Sequence, residues 1–176
     1  MTAGRCHPMR TALPWITAAL VIALDRATKL LVIDRLPVGS WQPVFPGFTL
    51  THVHNTGIAF SLFSSGSWVS RVLLHAVILV AVVLIAWMAR RHGHHHVLAG
   101  FAFGAILGGA VGNLIDRVLY GWVIDFVHLW VTLGGRTWSW PDFNVADAAI
   151  TTGALLLILN EFLPGRARPA HAPDPR

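Results

Sequence analysis

Cysteine is nearly absent: Cys6 is the only one in 176 residues. No disulfide can form within the chain, and no pair of cysteine ligands exists for a metal. Cys6 also lies far in sequence from every polar cluster, which argues against a thiol nucleophile. Charge is scarce as well. Charged residues make up 12% of the chain against 55% hydrophobic, and the mean hydropathy is +0.60. That composition excludes an ordinary soluble domain, and the length suits a single membrane domain. The formal charge of +5 and a pI near 11.0 could suggest nucleic acid. The basic residues form no binding stripe, however. They sit between apolar runs, where they orient helices in a bilayer. Two more absences narrow the chemistry. No His-Glu-x-x-His run is present, so the zinc-protease pattern is missing. No serine sits in a nucleophile-elbow context.

What the chain does have is apolar runs, four of them, at about 11–36, 68–89, 97–119 and 146–163. Each is long enough to span a bilayer as a helix. The first begins after Arg5 and Arg10 and superficially looks like a signal peptide. It is too long for one, and Asp25, Arg26 and Lys29 interrupt its far end. We read it as an uncleaved first span following a short cytoplasmic tail, 1–10. The Arg90–Arg91 turn and the tail arginines Arg166 and Arg168 mark the same face as cytoplasmic, and an even number of spans returns both termini there. The proline-rich tail, 164–176, is expected to be disordered. The histidines His92, His94, His95 and His96 could bind metal. No carboxylate or cysteine adjoins them, so a polar cytoplasmic turn is the preferred reading. Between the first two runs, prolines and glycines break any helix, and the stretch 47–55 alternates like a strand. In it, Thr49, Thr51 and Val53 are expected on one side and Leu50, His52 and His54 on the other. Phe60 and Phe63 beside serines suggest a short element lying in the membrane interface. His128, Gly134, Gly135, Arg136 and the tryptophans Trp138 and Trp140 are expected in a second interfacial loop. The fold class is therefore an all-α membrane protein: a four-transmembrane-helix bundle, 11–163, with a small extramembrane strand platform and an interfacial helix.

This topology gathers distant polar residues at one depth. Asp25 and Lys29 end the first span; Asn113, Asp116 and Arg117 end the third; Asp125 follows, and Asn144 and Asp147 open the fourth. Asn55 lies in the loop on the same face. Charges at this depth are costly and are usually functional or paired. Gly104, Gly108 and Gly112 share one helix face, where another backbone can approach closely. Asp25 and Lys29, four apart, can pair on one face. Spacing leaves open whether they are an ion pair at a helix end or a support under a site. Asn144 is a natural N-cap, and Asp147 three residues on favours the helix N-terminus, so capping alone could explain that pair. Two carboxylates close together in a low-dielectric site share a proton. One can then activate water while the other protonates a carbonyl or a leaving amine. Asp125 and Asp147 could in this way hydrolyse an amide without a covalent intermediate. Two other classes compete: a small proton-coupled carrier using the same acids, and a purely structural subunit. Against the carrier, the acids gather at one face rather than the midplane, and no internal repeat is evident.

Five segments, in order and spacing, resemble the lipoprotein signal peptidases (signal peptidase II), a family of bacterial membrane aspartyl peptidases. They are Asp25-Arg26-Ala27-Thr28-Lys29; Asn55-Thr56-Gly57-Ile58-Ala59-Phe60; the run from Gly108 to Arg117; Val123-Ile124-Asp125-Phe126; and Phe143-Asn144-Val145-Ala146-Asp147. The resemblance implies cleavage of prolipoproteins before a diacylglyceryl-modified cysteine. It assigns the catalytic roles to Asp125 and Asp147. Asp25, Lys29, Asn55, Gly57, Asn113, Asp116, Arg117 and Asn144 would line or brace the site. It implies no metal and no cofactor. It also implies membrane lipid and lipid-modified substrates as partners and an active site on the extracytoplasmic face of the plasma membrane; a monomer is expected, and the charge pattern argues for no nucleic acid. Ile58 departs from the alanine common in the family and bears on substrate preference.

Overall fold

A computed structural model describes residues 8–57, 68–94 and 96–162. Ile58, the interfacial element expected around Phe60 and Phe63, His95, Cys6 and the carboxy-terminal tail lie outside the described residues. The chain runs α1 (Pro8–Arg35), β1 (Trp41–Phe45), β2 (Phe48–Asn55), α2 (Trp68–His92), α3 (Val97–Tyr120), β3 (Val123–Leu133), β4 (Arg136–Ser139) and α4 (Val145–Phe162). Four helices carry one four-stranded antiparallel sheet of order β1-β2-β3-β4. By length and composition, segments of three helices are apolar enough to cross a membrane: Val72–His92, Val97–Tyr120 and Val145–Phe162. α1 falls outside that set. Asp25, Arg26, Lys29, Asp34 and Arg35 occupy its second half.

α3 is the central helix. It packs against α1, α2 and α4, and its glycines explain how. A Cβ added at Gly104 would lie 2.5 Å from the Pro14 carbonyl oxygen, and one at Gly108 would lie 2.7 Å from that of Ala18. One at Gly112 would lie 2.8 Å from Asp25 Oδ2. The stripe expected from the sequence therefore faces α1. Gly109, one residue off the stripe, faces α4 and meets the Ala146 carbonyl and the Ile150 side chain. In lipid, helices gain little from hydrophobic exclusion of one another, so this close packing carries the association.

The burial of α1 is inverted relative to a soluble helix. Pro14, Ala18, Asp25, Lys29, Val32 and Leu36 form its buried seam, at near-helical spacing and ending just past the last turn. Leu20, Leu24, Leu30 and Leu31 are exposed. Charge points inward and leucine points outward, as a bilayer solvent requires.

Two expectations need correction. The region 123–139 is a hairpin, β3–β4, and not an irregular loop. Its turn is Gly134–Gly135, with φ of 57° and 77°. Both lie in the left-handed region that favours glycine, in a two-residue connection that suits the strand twist. In β2 the alternation breaks. Thr49 and Thr51 are buried together, but His52 is buried and Val53 exposed. The register of β2 on β3 shifts between Leu50 and Val53, and such an irregularity re-aims the side chains beyond it. His52 then reaches back to the residue that follows α1, with Nδ1 2.7 Å from the Leu36 carbonyl oxygen.

Candidate active site

α3 stops at Tyr120 because Gly121 adopts φ 85° and its N–H donates to the Arg117 carbonyl, 3.0 Å. This left-handed cap is a common helix terminator. It reverses the chain so that β3 begins at Val123 and runs back past the last turn of α3. The Ile124 N–H donates to Asp116 Oδ2 at 3.3 Å. Asp125, the next residue, is thereby set beside Asn113 and the start of α4.

α4 starts with a reciprocal cap. The Asp147 N–H donates to Asn144 Oδ1 (3.0 Å), and the Asn144 N–H donates to Asp147 Oδ2 (3.2 Å). This arrangement has the form of a capping box. The capping reading of the pair was therefore correct as far as the helix goes. It is incomplete, because the Asn144 amide continues onward. Its Nδ2 donates to Asp125 Oδ1 at 2.7 Å, with longer contacts to Asn113 Oδ1 and the Ile124 carbonyl. One asparagine thus touches both acids.

Each carboxylate has a second donor. Asn55 Nδ2 donates to Asp125 Oδ2 at 2.9 Å, and Asn113 Nδ2 donates to Asp147 Oδ1 at 2.8 Å. Asn55 is held in turn by its loop. Its Oδ1 accepts from the Gly57 N–H (3.1 Å), and the Gly57 carbonyl accepts from Arg117 Nη2 (3.0 Å). Arg117 Nη1 also donates to the Asn113 carbonyl at 3.4 Å.

Beneath these lies a buried charge array. Lys29 Nζ is 2.8 Å from Asp25 Oδ2, 2.8 Å from Asp116 Oδ2 and 3.0 Å from Asn113 Oδ1. Lys29, Asp25 and Asp116 have no exposed side-chain surface. Asp25 Oδ1 accepts the Ala146 N–H at 3.0 Å, so α1 holds the first turn of α4. The two readings of Asp25 and Lys29 turn out to be one: they are an ion pair, and that pair supports the site. All ten residues singled out from the sequence belong to this one bonded cluster. Arg26 and Tyr120 were missed as site residues. Arg26 pairs with Asp116, and its Nη2 donates to Tyr120 Oη at 3.2 Å. An arginine beside Asp25 in an apolar run was the available signal. Asp142 was missed too. It takes the Thr51 hydroxyl (2.9 Å) and His128 Nδ1 (3.0 Å), tying β2 and β3 to the segment before α4.

Asp125 is 2% exposed. Burial pushes its carboxyl up from 3.8 to about 7, opposed by the Asn55 hydrogen bond. The Asp147 charge raises it further, while Asn144 and Lys29 pull it down. Burial outweighs the donors because desolvation acts on the whole charge. The result is an acid that still holds a proton near neutrality, beside a second carboxyl on the same asparagine. That combination suits general acid–base work on a water and an amide. Among the described residues, no group of three or more His, Cys, Asp or Glu side chains is arranged to hold a metal ion.

The family described as "Signal peptidase (SPase) II" matches residues 17–163. A lipoprotein signal peptidase of Burkholderia mallei (strain SAVP1) is 41% identical over 150 residues, covering 84% of this chain and 87% of its own. One from Cupriavidus pinatubonensis is 44% identical over 153 residues, covering 86% and 84%. Among solved structures, a bacterial membrane enzyme determined by the in meso method at 2.3 Å superposes with a TM-score of 0.73 at 25% identity. The match covers 85% of this chain and 87% of that one.

Proposed function

This chain belongs to the signal peptidase II family of aspartic peptidases, and from that premise we propose that Asp125 and Asp147 together cut the signal peptide from prolipoproteins. The observation that carries the assignment is the shared asparagine, Asn144, which donates to both carboxyls, through its amide to Asp125 and its backbone N–H to Asp147, while burial keeps Asp125 protonated to about pH 7. One carboxyl takes a proton from water as it attacks the scissile carbonyl. The other protonates the carbonyl oxygen, and later the leaving amine. Asn55 and Arg117 hold the Gly57 loop against the acids, and Asp25, Lys29, Asn113 and Asp116 fix the helix ends that carry them.

The chain is a multi-pass membrane enzyme. In our reading α1 is the fourth span, because its charges face α3 and its leucines face outward. Both termini are then cytoplasmic, and the acids sit at the extracytoplasmic rim. The signal helix packs against α2, α3 and α4, and the diacylglyceryl chains remain in lipid. The protein acts as a monomer and needs no metal or cofactor. The carrier reading has no comparable support, since the acids converge on one rim rather than lining a path between faces.

The direct test is mass spectrometry of a lipid-modified prolipoprotein incubated with the purified protein. Our reading requires one cut, before the lipidated cysteine. Intact substrate, or a cut elsewhere, would reject it. The pH profile gives a second test. In the folded enzyme, the protonated form of Asp125 persists to about pH 7. If that form is the proton donor, kcat/KM falls as pH rises beyond about 7. Asn55→Ala removes a donor that favours the carboxylate, so the midpoint of the fall moves to higher pH. A midpoint that stays or moves down would exclude Asn55 as a tuner of Asp125.

A further inference from the structure

Two fully buried carboxylates, Asp25 and Asp116, share the lysine that stands between them. Arg26 supplies the second cation that balances them. It follows Asp25 directly and lies three residues before Lys29 on α1, so the two basic side chains leave the helix as neighbours. They divide Asp116 between them. Arg26 Nη1 takes Oδ1, and Lys29 Nζ takes Oδ2 at 2.8 Å. The Ile124 N–H also donates to Oδ2. Both oxygens of Asp116 are thus engaged, and the plane of the carboxylate is fixed. Arg26 is held in turn. Its Nη2 donates to Tyr120 Oη at 3.2 Å, and its Cζ stands 5.7 Å from the centre of the same ring. The Arg26 side chain is 18% exposed, whereas that of Arg35, paired with its neighbour Asp34, is 77% exposed. The contrast separates an arginine built into the site from one that merely ends the helix.

We propose that Arg26 is a positioning residue for the cleavage reaction, setting Asp125 through Asp116 and the start of β3. This rests on the peptidase reading. Arg26 bonds to Asp116 and Tyr120, so it acts through other groups. The first path is short: Arg26 fixes Asp116, Asp116 holds the Ile124 N–H, and Asp125 is the next residue. A second path runs through rings. Tyr120 and Trp122 have their centroids 6.4 Å apart, and Trp122 stacks on His54 at 4.5 Å. His54 is opposite Ile124 in the pairing of β2 with β3. It also precedes Asn55, which donates to Asp125 Oδ2. Arg26 therefore bears both on the strand that carries the acid and on the strand that carries its donor. Tyr120, Trp122 and Ile124 pack in one hydrophobic cluster with Val32 and Leu36, so a shift at one is felt by the others. With a neutral side chain at 26, Asp116 Oδ1 loses its charged donor, and one lysine is left between two buried acids. The carboxylate can then turn toward Lys29, and the Ile124 N–H loses a fixed acceptor. A misplacement of about 1 Å in a reacting group costs about a hundred-fold in rate, so a smaller movement of Asp125 is enough to be measured.

The test measures cleavage of a lipid-modified prolipoprotein by the full-length enzyme in vesicles, well below the melting temperature of each variant. Arg26→Gln is expected to lower kcat about ten-fold, with KM changed by less than about two-fold, because the reacting acid moves and the substrate's own contacts do not. Arg26→Lys returns a cation to Asp116 Oδ1 and should recover most of kcat. It should not recover all of it, because an ammonium lacks the planar fork that reaches Asp116 and Tyr120 together. In an Asp116→Asn background, Arg26→Gln should cost little more, since both changes act on one path. An unchanged kcat in Arg26→Gln would overturn the proposal. So would a loss confined to KM, a folded Arg26→Lys no better than Arg26→Gln, or losses that simply add. Should Arg26→Gln not fold, Arg26→Lys and Tyr120→Phe carry the test. Each keeps the ion pair but loosens its aim, and each should lower kcat about two- to three-fold at unchanged KM; wild-type kcat in both would overturn the proposal. If the wild type leaves the substrate intact, the peptidase reading fails first. If it cuts and Arg26→Gln cuts equally well, only the role given to Arg26 fails.

Discussion

Asp125→Asn and Asp147→Asn should each lower kcat by about a thousand-fold or more, the loss expected when a general acid or base is removed and its partner cannot substitute. An amide can neither take a proton from water nor return one to an amine. The measurement is single-turnover cleavage of a lipid-modified prolipoprotein at saturating enzyme. These replacements are not silent in the fold. Both oxygens of Asp125 already accept N–H donors, from Asn144 and Asn55, and both oxygens of Asp147 accept from Asn113 and the Asn144 backbone. An amide nitrogen at either place would face a donor. Asn55 cannot turn over without losing the Gly57 N–H that its own oxygen accepts. A donor–donor contact of this kind costs about 1–3 kcal/mol, so the variants should melt a few degrees lower and still be folded in detergent. Near-wild-type turnover by a folded Asp125→Asn or Asp147→Asn protein would remove the pair from the chemistry.

Lys29→Met should be the most damaging substitution for stability. Lys29 is the only lysine in the chain, and it stands between two fully buried carboxylates, Asp25 and Asp116. Removing one partner of a buried ion pair costs about 3–5 kcal/mol, because the other charge is left uncompensated. Here two acids would be left, though Arg26 still reaches Asp116. The loss should also reach the chemistry. Asp25 holds the Ala146 N–H, and Lys29 holds the Asn113 oxygen whose amide nitrogen donates to Asp147. A thermal melt in detergent measures the first effect and kcat the second. Adding Asp25→Asn to Lys29→Met should recover part of the stability by removing one stranded charge, without restoring kcat. Lys29→Met melting like wild type would mean that the array is not held together by charge.

Much of the bundle is legible in the amino-acid order because a bilayer leaves few choices. Backbone groups in lipid must bond within their own segment, so long apolar runs become helices. Glycines four apart mark where another helix can come close, and Gly104, Gly108 and Gly112 do face α1. The gathering of the acids in one cluster also follows, since each lies near the end of a run whose direction alternates.

The sheet was half legible. The alternation after Pro46–Gly47 announced β2 but not β1, and the irregular register between Leu50 and Val53 has no mark in the sequence. The Gly134–Gly135 hairpin did carry a signal: paired glycines between stretches rich in β-branched and aromatic residues. Its tryptophans read equally well as membrane-interface residues, so the strand assignment was missed.

Residue types and the order of the helices determined which groups could meet: four acids, three asparagines, one lysine and one arginine brought to one cluster. Who bonds to whom was decided only by the fold. Asn144 looks from its neighbours like a helix cap and nothing more. It becomes the bridge to Asp125 because the left-handed Gly121 turns β3 back against the segment that leads into α4, a contact across nineteen residues that no local preference encodes. Local preference acts within a few residues. The proton held on Asp125 depends on burial by segments far away in the chain, and burial exists only once those segments have packed.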